Sequence, residues 1–267
     1  MKQSQAKKHD NTMTNKILMR LIALVLGLLF LEILIIHSKN EQQKSVSNQV
    51  QTARIMANGD LLYHDGLYMS ALQADGSYDF TENFTYVKPW LKQADLVLGD
   101  FEGTINPDYP LSGYPLFNAP QSVTAVISDA GYDVMDLAHN HILDSGLEGA
   151  FTTADAFKEV GIDPVGVYEN PVRDKAPLFI KNVNGIKVAI LSYAYGFNGL
   201  ESNLTEKEIA NHLSNLDEKR MKVEIERAEK EADVTVIMPQ MGVEYRLEPT
   251  DEQVKLYHKM IDWGADI

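Results

Sequence analysis

The chain contains no cysteine. That excludes a disulfide framework and any thiolate metal site, leaves nitrogen and oxygen side chains as ligands, and removes cysteine usage as an indicator of redox compartment. Positive charge is scarce as well. Against 38 aspartates and glutamates stand 24 lysines and arginines, a formal net charge of −14. Nucleic-acid binding needs basic patches that neutralise phosphates, so this balance argues against it.

One long apolar run is present, Ile17 to Ile36, with Arg20 and Glu32 near its two ends. It matches the ~20 residues needed to cross a hydrocarbon core. Lys2, Lys7, Lys8, Lys16 and Arg20 cluster at its start. The positive-inside bias then makes residues 1–16 a cytoplasmic N-terminus, residues 17–36 a single transmembrane anchor and the rest extracellular, with the bilayer as a partner. His37-Ser38-Lys39-Asn40-Glu41 offers no small-x-small cleavage site, which favours an uncleaved anchor over a signal peptide. Residues 37–52, rich in Gln, Ser and Asn, read as a linker, and residues 53–267 as one α/β domain. The first 39 residues hold six of the basic and two of the acidic side chains, leaving 18 against 36 for the remainder.

Within the domain, short apolar runs end repeatedly in polar groups. Ala53 to Ala57 runs into Asn58-Gly59-Asp60, and Tyr63-His64-Asp65 follows. Leu96 to Leu98 closes with Gly99-Asp100-Phe101-Glu102. Val134 to Ala138 leads into His139-Asn140-His141 and then Asp144-Ser145-Gly146, and Val234 to Met238 into Gln240 and Glu244. Each run has the length and composition of a buried strand, and open α/β sheets place their chemistry at strand ends. Helical spacing predicts helices over residues 84–94 (with Trp90 and Leu91 inward and a break at Pro89), 121–130, 146–160, 205–231 and 250–263. Asn184-Gly185 between two apolar runs signals a hairpin, so the sheets are not purely parallel. Pro107 to Pro120 reads as a packed loop. Asp266-Ile267 reads as the opening of another strand, which predicts a truncated C-terminus.

Acids, amides and imidazoles at neighbouring strand ends are what a two-metal hydrolytic centre requires, because each ion needs several N/O ligands and a bridging carboxylate. A polar strand-to-helix loop capped by Asp144 or Ser145 is the plain alternative for residues 139–146. Candidate metal ligands are Asp60, His64, Asp100, Glu102, Asn140 and Gln240; candidate catalytic groups are His141 and Asp144.

The ordered set Gly59-Asp60-Leu61, Asp100-Phe101-Glu102, Leu137-Ala138-His139-Asn140-His141 with Asp144-Ser145-Gly146, and Met241-Gly242-Val243-Glu244-Tyr245 resembles the CapA family of capsule and poly-γ-glutamate synthesis proteins, which is related to calcineurin-like metallophosphoesterases. The resemblance implies a metallophosphoesterase-like β-sandwich flanked by helices. It also implies a divalent metal (Mn, Mg, Fe or Zn), and as partners polymer synthetase subunits and an anionic extracellular polymer. Residue by residue it implies Asp60 as the first metal-binding acid, Glu102 as the bridging acid, Asn140 as a ligand amide and His141 as the group near the departing oxygen. The sequence departs from the family pattern at Leu62, at Gln240-Met241, and in the Gly-His-x-His segment expected after Ile267.

Overall fold

Strand β2 (Leu96–Asp100) is buried along its whole length, and alternation sends its side chains to two different cores. Leu96 and Leu98 join one apolar cluster, Val97 another. In this computed structural model, which describes residues 19, 26–39 and 50–267, β2 is a central strand of a four-stranded parallel sheet. Its order is β1 (Ile55–Asp60), β2, β3 (Val134–Asp136), β4 (Asp163–Val165). A second sheet pairs β5 (Ile180–Val183) antiparallel with β6 (Ile186–Ala194), and β6 parallel with β7 (Val234–Gln240). Asn184 and Gly185 both adopt positive φ in the β5–β6 turn, as a two-residue hairpin demands.

The two sheets meet through Leu96, Leu98, Val134 and Val165 on one side and Val188, Ile190 and Val236 on the other. Their outer faces carry helices. Helices α1 (Asp65–Ala71), α2 (Lys88–Leu91), α3 (Ser122–Ala130) and α4 (Gly146–Glu159) follow strands of the parallel sheet. Val123 and Ile127 of α3 and Ala150, Ala154 and Phe157 of α4 pack over Val97 and Met135. After α5 (Glu206–His212), α6 (Glu218–Glu231) and α7 (Asp251–Trp263) cover the second sheet. Met221, Ile225 and Ala228 of α6 form a helical stripe against Ala189, Leu191 and Tyr193.

Two expectations are corrected. The transmembrane helix assigned to residues 17–36 is not found: among the described residues no helix is long and apolar enough to cross a membrane. Residues 26–39 are helical. The remainder of that span, apart from Met19, lies outside the described residues, as does most of the linker assigned to residues 37–52. The fold of the domain is therefore a mixed α/β fold with a parallel sheet and a second sheet, and the described residues do not support the transmembrane helix assigned ahead of it. Trp90 is the other correction: it is 65% exposed, because Pro89 starts a one-turn helix that turns the indole outward while Leu91 packs inward.

Where β4 ends, Gly166 has φ +94 and its Cβ position lies 2.7 Å from the Ala138 backbone nitrogen. The absent side chain lets the chain pass against the segment that enters the 139–145 turn. Gly166→Ala is expected to lower stability by about 1–3 kcal/mol, read from urea unfolding, because it combines backbone strain with a backbone clash. Wild-type stability in that variant would contradict this close approach.

Candidate functional site

The apolar alternation that builds the interior also carries acids into it. Leu96, Leu98 and Asp100 lie on one face of β2, and Val134 and Asp136 on the same face of β3, above the core between the sheets. Register pairs Asp60 with Asp100 and Asp100 with Asp136, so three aspartates stand side by side on adjacent parallel strands. Asp100 and Asp136 are buried, whereas Asp60 is exposed at the mouth. Glu102 follows just past β2, and the Asp60 carboxylate raises the pKa of both Asp100 and Glu102.

Among the described residues no lysine or arginine forms an ion pair with these acids. Burial, then the charges of Asp136, Asp60 and Glu102, push Asp100 up to about 9. Burial, then the hydrogen bond and charge of Asp60, push Glu102 up to about 8. Asp136 is raised by burial too, although hydrogen bonds from Ser192 and from the Ala138 N–H (2.7 Å) oppose the rise. Asp100 Oδ1 has no hydrogen-bond partner.

The 139–145 turn is held from within. Ala138 N–H is fixed by Asp136, and the buried His139 accepts the His141 N–H on Nδ1 at 3.2 Å. Burial keeps His139 neutral, down to about 3. His141 Nδ1 lies 2.7 Å from Asp144 Oδ2, which also accepts the Phe117 N–H at 2.6 Å. With Asp144 as acceptor, Nδ1 carries the proton and Nε2 faces Glu102 Oε1 at 3.8 Å. Phe117 packs edge-on against the imidazole at 4.8 Å, so the loop over residues 107–120 closes one side of it.

Asn140 is clamped by Gln240. Its backbone N–H donates to Gln240 Oε1 at 2.7 Å, and Gln240 Nε2 donates back to Asn140 Oδ1 at 2.8 Å. Asn140 Nδ2 donates to Asn198 Oδ1 at 3.1 Å, and Asn198 Nδ2 lies 3.3 Å from both ring nitrogens of His141. His64 caps α1, accepting the Asp65 N–H on Nδ1 at 3.0 Å, and its ring packs edge-on against Phe117 at 5.5 Å. Asp60, Glu102, Asn140, Gln240 and Glu244 line a cleft of about 620 Å³, with Arg246 as its single basic side chain. Asp136, Ser192, Asn198 and Arg246 had not been singled out from the sequence. Strand alternation could have flagged Asp136, which sits two residues from Val134 on an inward face.

Among the described residues no three His, Asp or Glu side chains form a finished metal-holding group. The donor chemistry nevertheless fits one hard cation. Asp60, Asp100 and Glu102 offer carboxylate oxygens, and Asp100 Oδ1 is buried without a partner, which is the donor type a hard cation takes. The Asn140 and Gln240 amides are engaged with each other, and His64 with its helix. These residues do not by themselves supply a second ion.

Because both pKa values are raised, the folded chain holds more protons than the unfolded chain from ~4 up to about 8–9. The stability tied to the protonated pair is complete below ~4 and is lost as pH rises through the folded values. In chelator, urea unfolding midpoints are expected to fall from pH 5 to 9, and Asp100→Asn to flatten that fall and be the more stable form at pH 8. An equally steep fall in the variant would contradict the burial of charge at Asp100.

Comparison with known proteins follows the same residues. A family model described as bacterial capsule synthesis protein PGA_cap matches residues 54–267. The capsule biosynthesis protein CapA of Bacillus anthracis is 33% identical over 193 residues, covering 69% of this chain and 46% of that protein. The PGA biosynthesis protein CapA of Bacillus subtilis (strain 168) is 27% identical over 264 residues, covering 97% of this chain and 67% of that protein. The chain thus spans about half the length of the first relative and two thirds of the second. Among solved structures, a putative 5'-nucleotidase from Staphylococcus aureus in complex with alpha-ketoglutarate has a TM-score of 0.48 at 15% identity, covering 79% of this chain and 42% of that one. The sulfate thiohydrolase SoxB of Thermus thermophilus has 0.35 at 17%, covering 61% and 29%. Neither structural likeness bears on the site. The sequence match does settle descent: from residue 54 to residue 267, this chain belongs to the PGA_cap family of bacterial capsule synthesis proteins.

Proposed function

We propose that the chain serves capsule or poly-γ-glutamate synthesis as an accessory domain whose strand-end cleft holds one divalent cation and uses it to engage the anionic polymer or its precursor. One observation carries this: Asp60 and Glu102 line a single cleft, with the buried Asp100 beside Asp60 in the strand register and Arg246 as the one basic side chain on the cleft wall. Hard oxygen donors favour Mn²⁺ or Mg²⁺ over softer ions. The charge of the domain supports the same conclusion, since an acidic cleft repels a polyanion unless an ion stands between them. Synthetase subunits are the partners this role calls for.

Asp60, Asp100 and Glu102 would hold the ion, which when bound polarises a carbonyl or phosphoryl oxygen as a Lewis acid. His141 supplies the proton chemistry. Its Nδ1–H is fixed on Asp144, so Nε2 is the atom left to give a proton to a departing oxygen or take one from an attacking group. Asn198 and Phe117 hold the ring in place from two sides. A second reading, a polymer guide without turnover, draws support from the Asn140–Gln240 clamp, which occupies two amides otherwise available as ligands.

Addition of Mn²⁺ at about 100 times its Kd is expected to raise the thermal midpoint by about 5–10 °C, and Asp60→Ala and Glu102→Ala to abolish the rise. His141→Ala is expected to keep the rise and to lower hydrolysis of phosphate-ester probes by roughly 10²–10⁴. No thermal shift in the wild type with either Mn²⁺ or Mg²⁺ contradicts the cation. A shift without turnover selects the guide.

A further inference from the structure

The two sheets end on the same side of the domain. β4 is the last strand of one and β5 the last strand of the other, and Lys181 of β5 pairs with Asp163 of β4 at 2.9 Å. At this seam a cavity of about 590 Å³ opens, bounded by residues 164–168 after the start of β4, residues 176–180 leading into β5, and α6. It shares no lining residue with the strand-end cleft. Val165 and Phe179 on its wall pack with the core between the sheets, Leu178 and Ile180 with the core under α6. Its volume falls in the range of roughly 300–1,000 Å³ that encloses small organic ligands.

The mouth is basic in an acidic domain. Arg173, Lys219, Arg220 and Arg227 line the cavity with Asp174 and Glu224, four cations to two anions, whereas residues 40–267 carry 18 to 36. Two of the cations are already paired. Glu224 accepts from Arg173 Nε and Nη2 at 3.0 and 2.8 Å, and Asp174 accepts from Arg220. Among the described residues Lys219 Nζ has no partner, and Arg227 bonds only through Nε, to the exposed Glu231 at 2.8 Å. Such an exposed pair contributes little and yields readily to a competing anion. Lys219, Val223 and Arg227 recur every four residues and so share one stripe of α6, with Val223 65% exposed between the two cations.

We propose that this cavity binds an amphipathic anion: an apolar chain or ring system against Val167, Leu178 and Phe179, and an anionic oxygen headgroup, carboxylate or phosphate, at Lys219 and Arg227. Burial of the apolar body supplies affinity, and the charge-assisted bonds at the mouth select the head. The acidic remainder of the domain repels anions, so such a ligand is drawn to this mouth and away from the strand-end cleft.

The test titrates the full chain by calorimetry with dodecanoate, dodecyl phosphate and dodecyltrimethylammonium below their micelle concentrations. Chelator in the buffer makes the result independent of any cation at the strand-end cleft. At least one of the two anions is expected to bind saturably at one site per chain, the tighter naming the headgroup, and the cationic amphiphile to bind about tenfold or more weakly. The six-carbon homologue of the tighter anion is expected to lose about fourfold for each methylene taken out of the cavity. Lys219→Glu with Arg227→Glu, both at exposed positions, is expected to weaken the anion about tenfold or more; Lys219→Gln with Arg227→Gln replaces that pair if it does not fold, with a loss in the same direction. The proposal is overturned if neither anion binds saturably, if the cationic amphiphile binds as tightly, if the short homologue loses nothing, or if the folded double variant keeps wild-type affinity.

Discussion

Uncompensated negative charge at the top of the inter-sheet core is the constraint on which the rest of the site depends. Strand alternation leaves little freedom here. Once Leu96, Leu98 and Val134 face the second sheet, Asp100 and Asp136 must face it too, because residues two apart share a side. Asp60 completes the row from β1. The fold keeps these acids close by the strand register and by the hydrogen bonds that Ser192 and Ala138 donate to Asp136.

The flanking groups follow from that arrangement. The second sheet sends Ser192 and the segment after β6, with Asn198, toward the acids, while β7 ends at Gln240 opposite Asn140. The helix side contributes the 139–145 turn and Phe117, which fix His141 between Asp144 and Glu102. A charged row, an oriented imidazole and an amide clamp thus meet at one cleft, each delivered by a different layer. In the proposed role, a cation joins the row to an anionic ligand and His141 handles the proton.

Much of this was legible in the sequence, for a physical reason: buried strands read as apolar runs, and polar residues at their ends stand out. Asp60, Asp100, Glu102, Asn140, His141 and Gln240 were found that way. His64 was singled out by its proximity in sequence to Asp60, and the cap it makes on α1 is not a contact that such proximity announces. Asp136 was hidden inside a run taken as apolar, Val134 to Ala138, where a charge is costly and hence unexpected. Asn198 and Ser192 lie more than 50 residues from the groups they touch, and no local pattern announces such a contact. The apolar stretch at 17–36 met the composition of a membrane span, yet among the described residues no helix is long and apolar enough to cross a membrane. Trp90 was placed inward by helical spacing that Pro89 cuts to a single turn.

The most direct measurement is an anomalous-difference map from crystals of the chain grown with Mn²⁺. A peak within coordination distance of Asp60, Asp100 and Glu102, beside His141 and outside the Asn140–Gln240 clamp, is the expected result. A fully occupied Mn²⁺ elsewhere in the domain, with no ion at those three carboxylates, would contradict it.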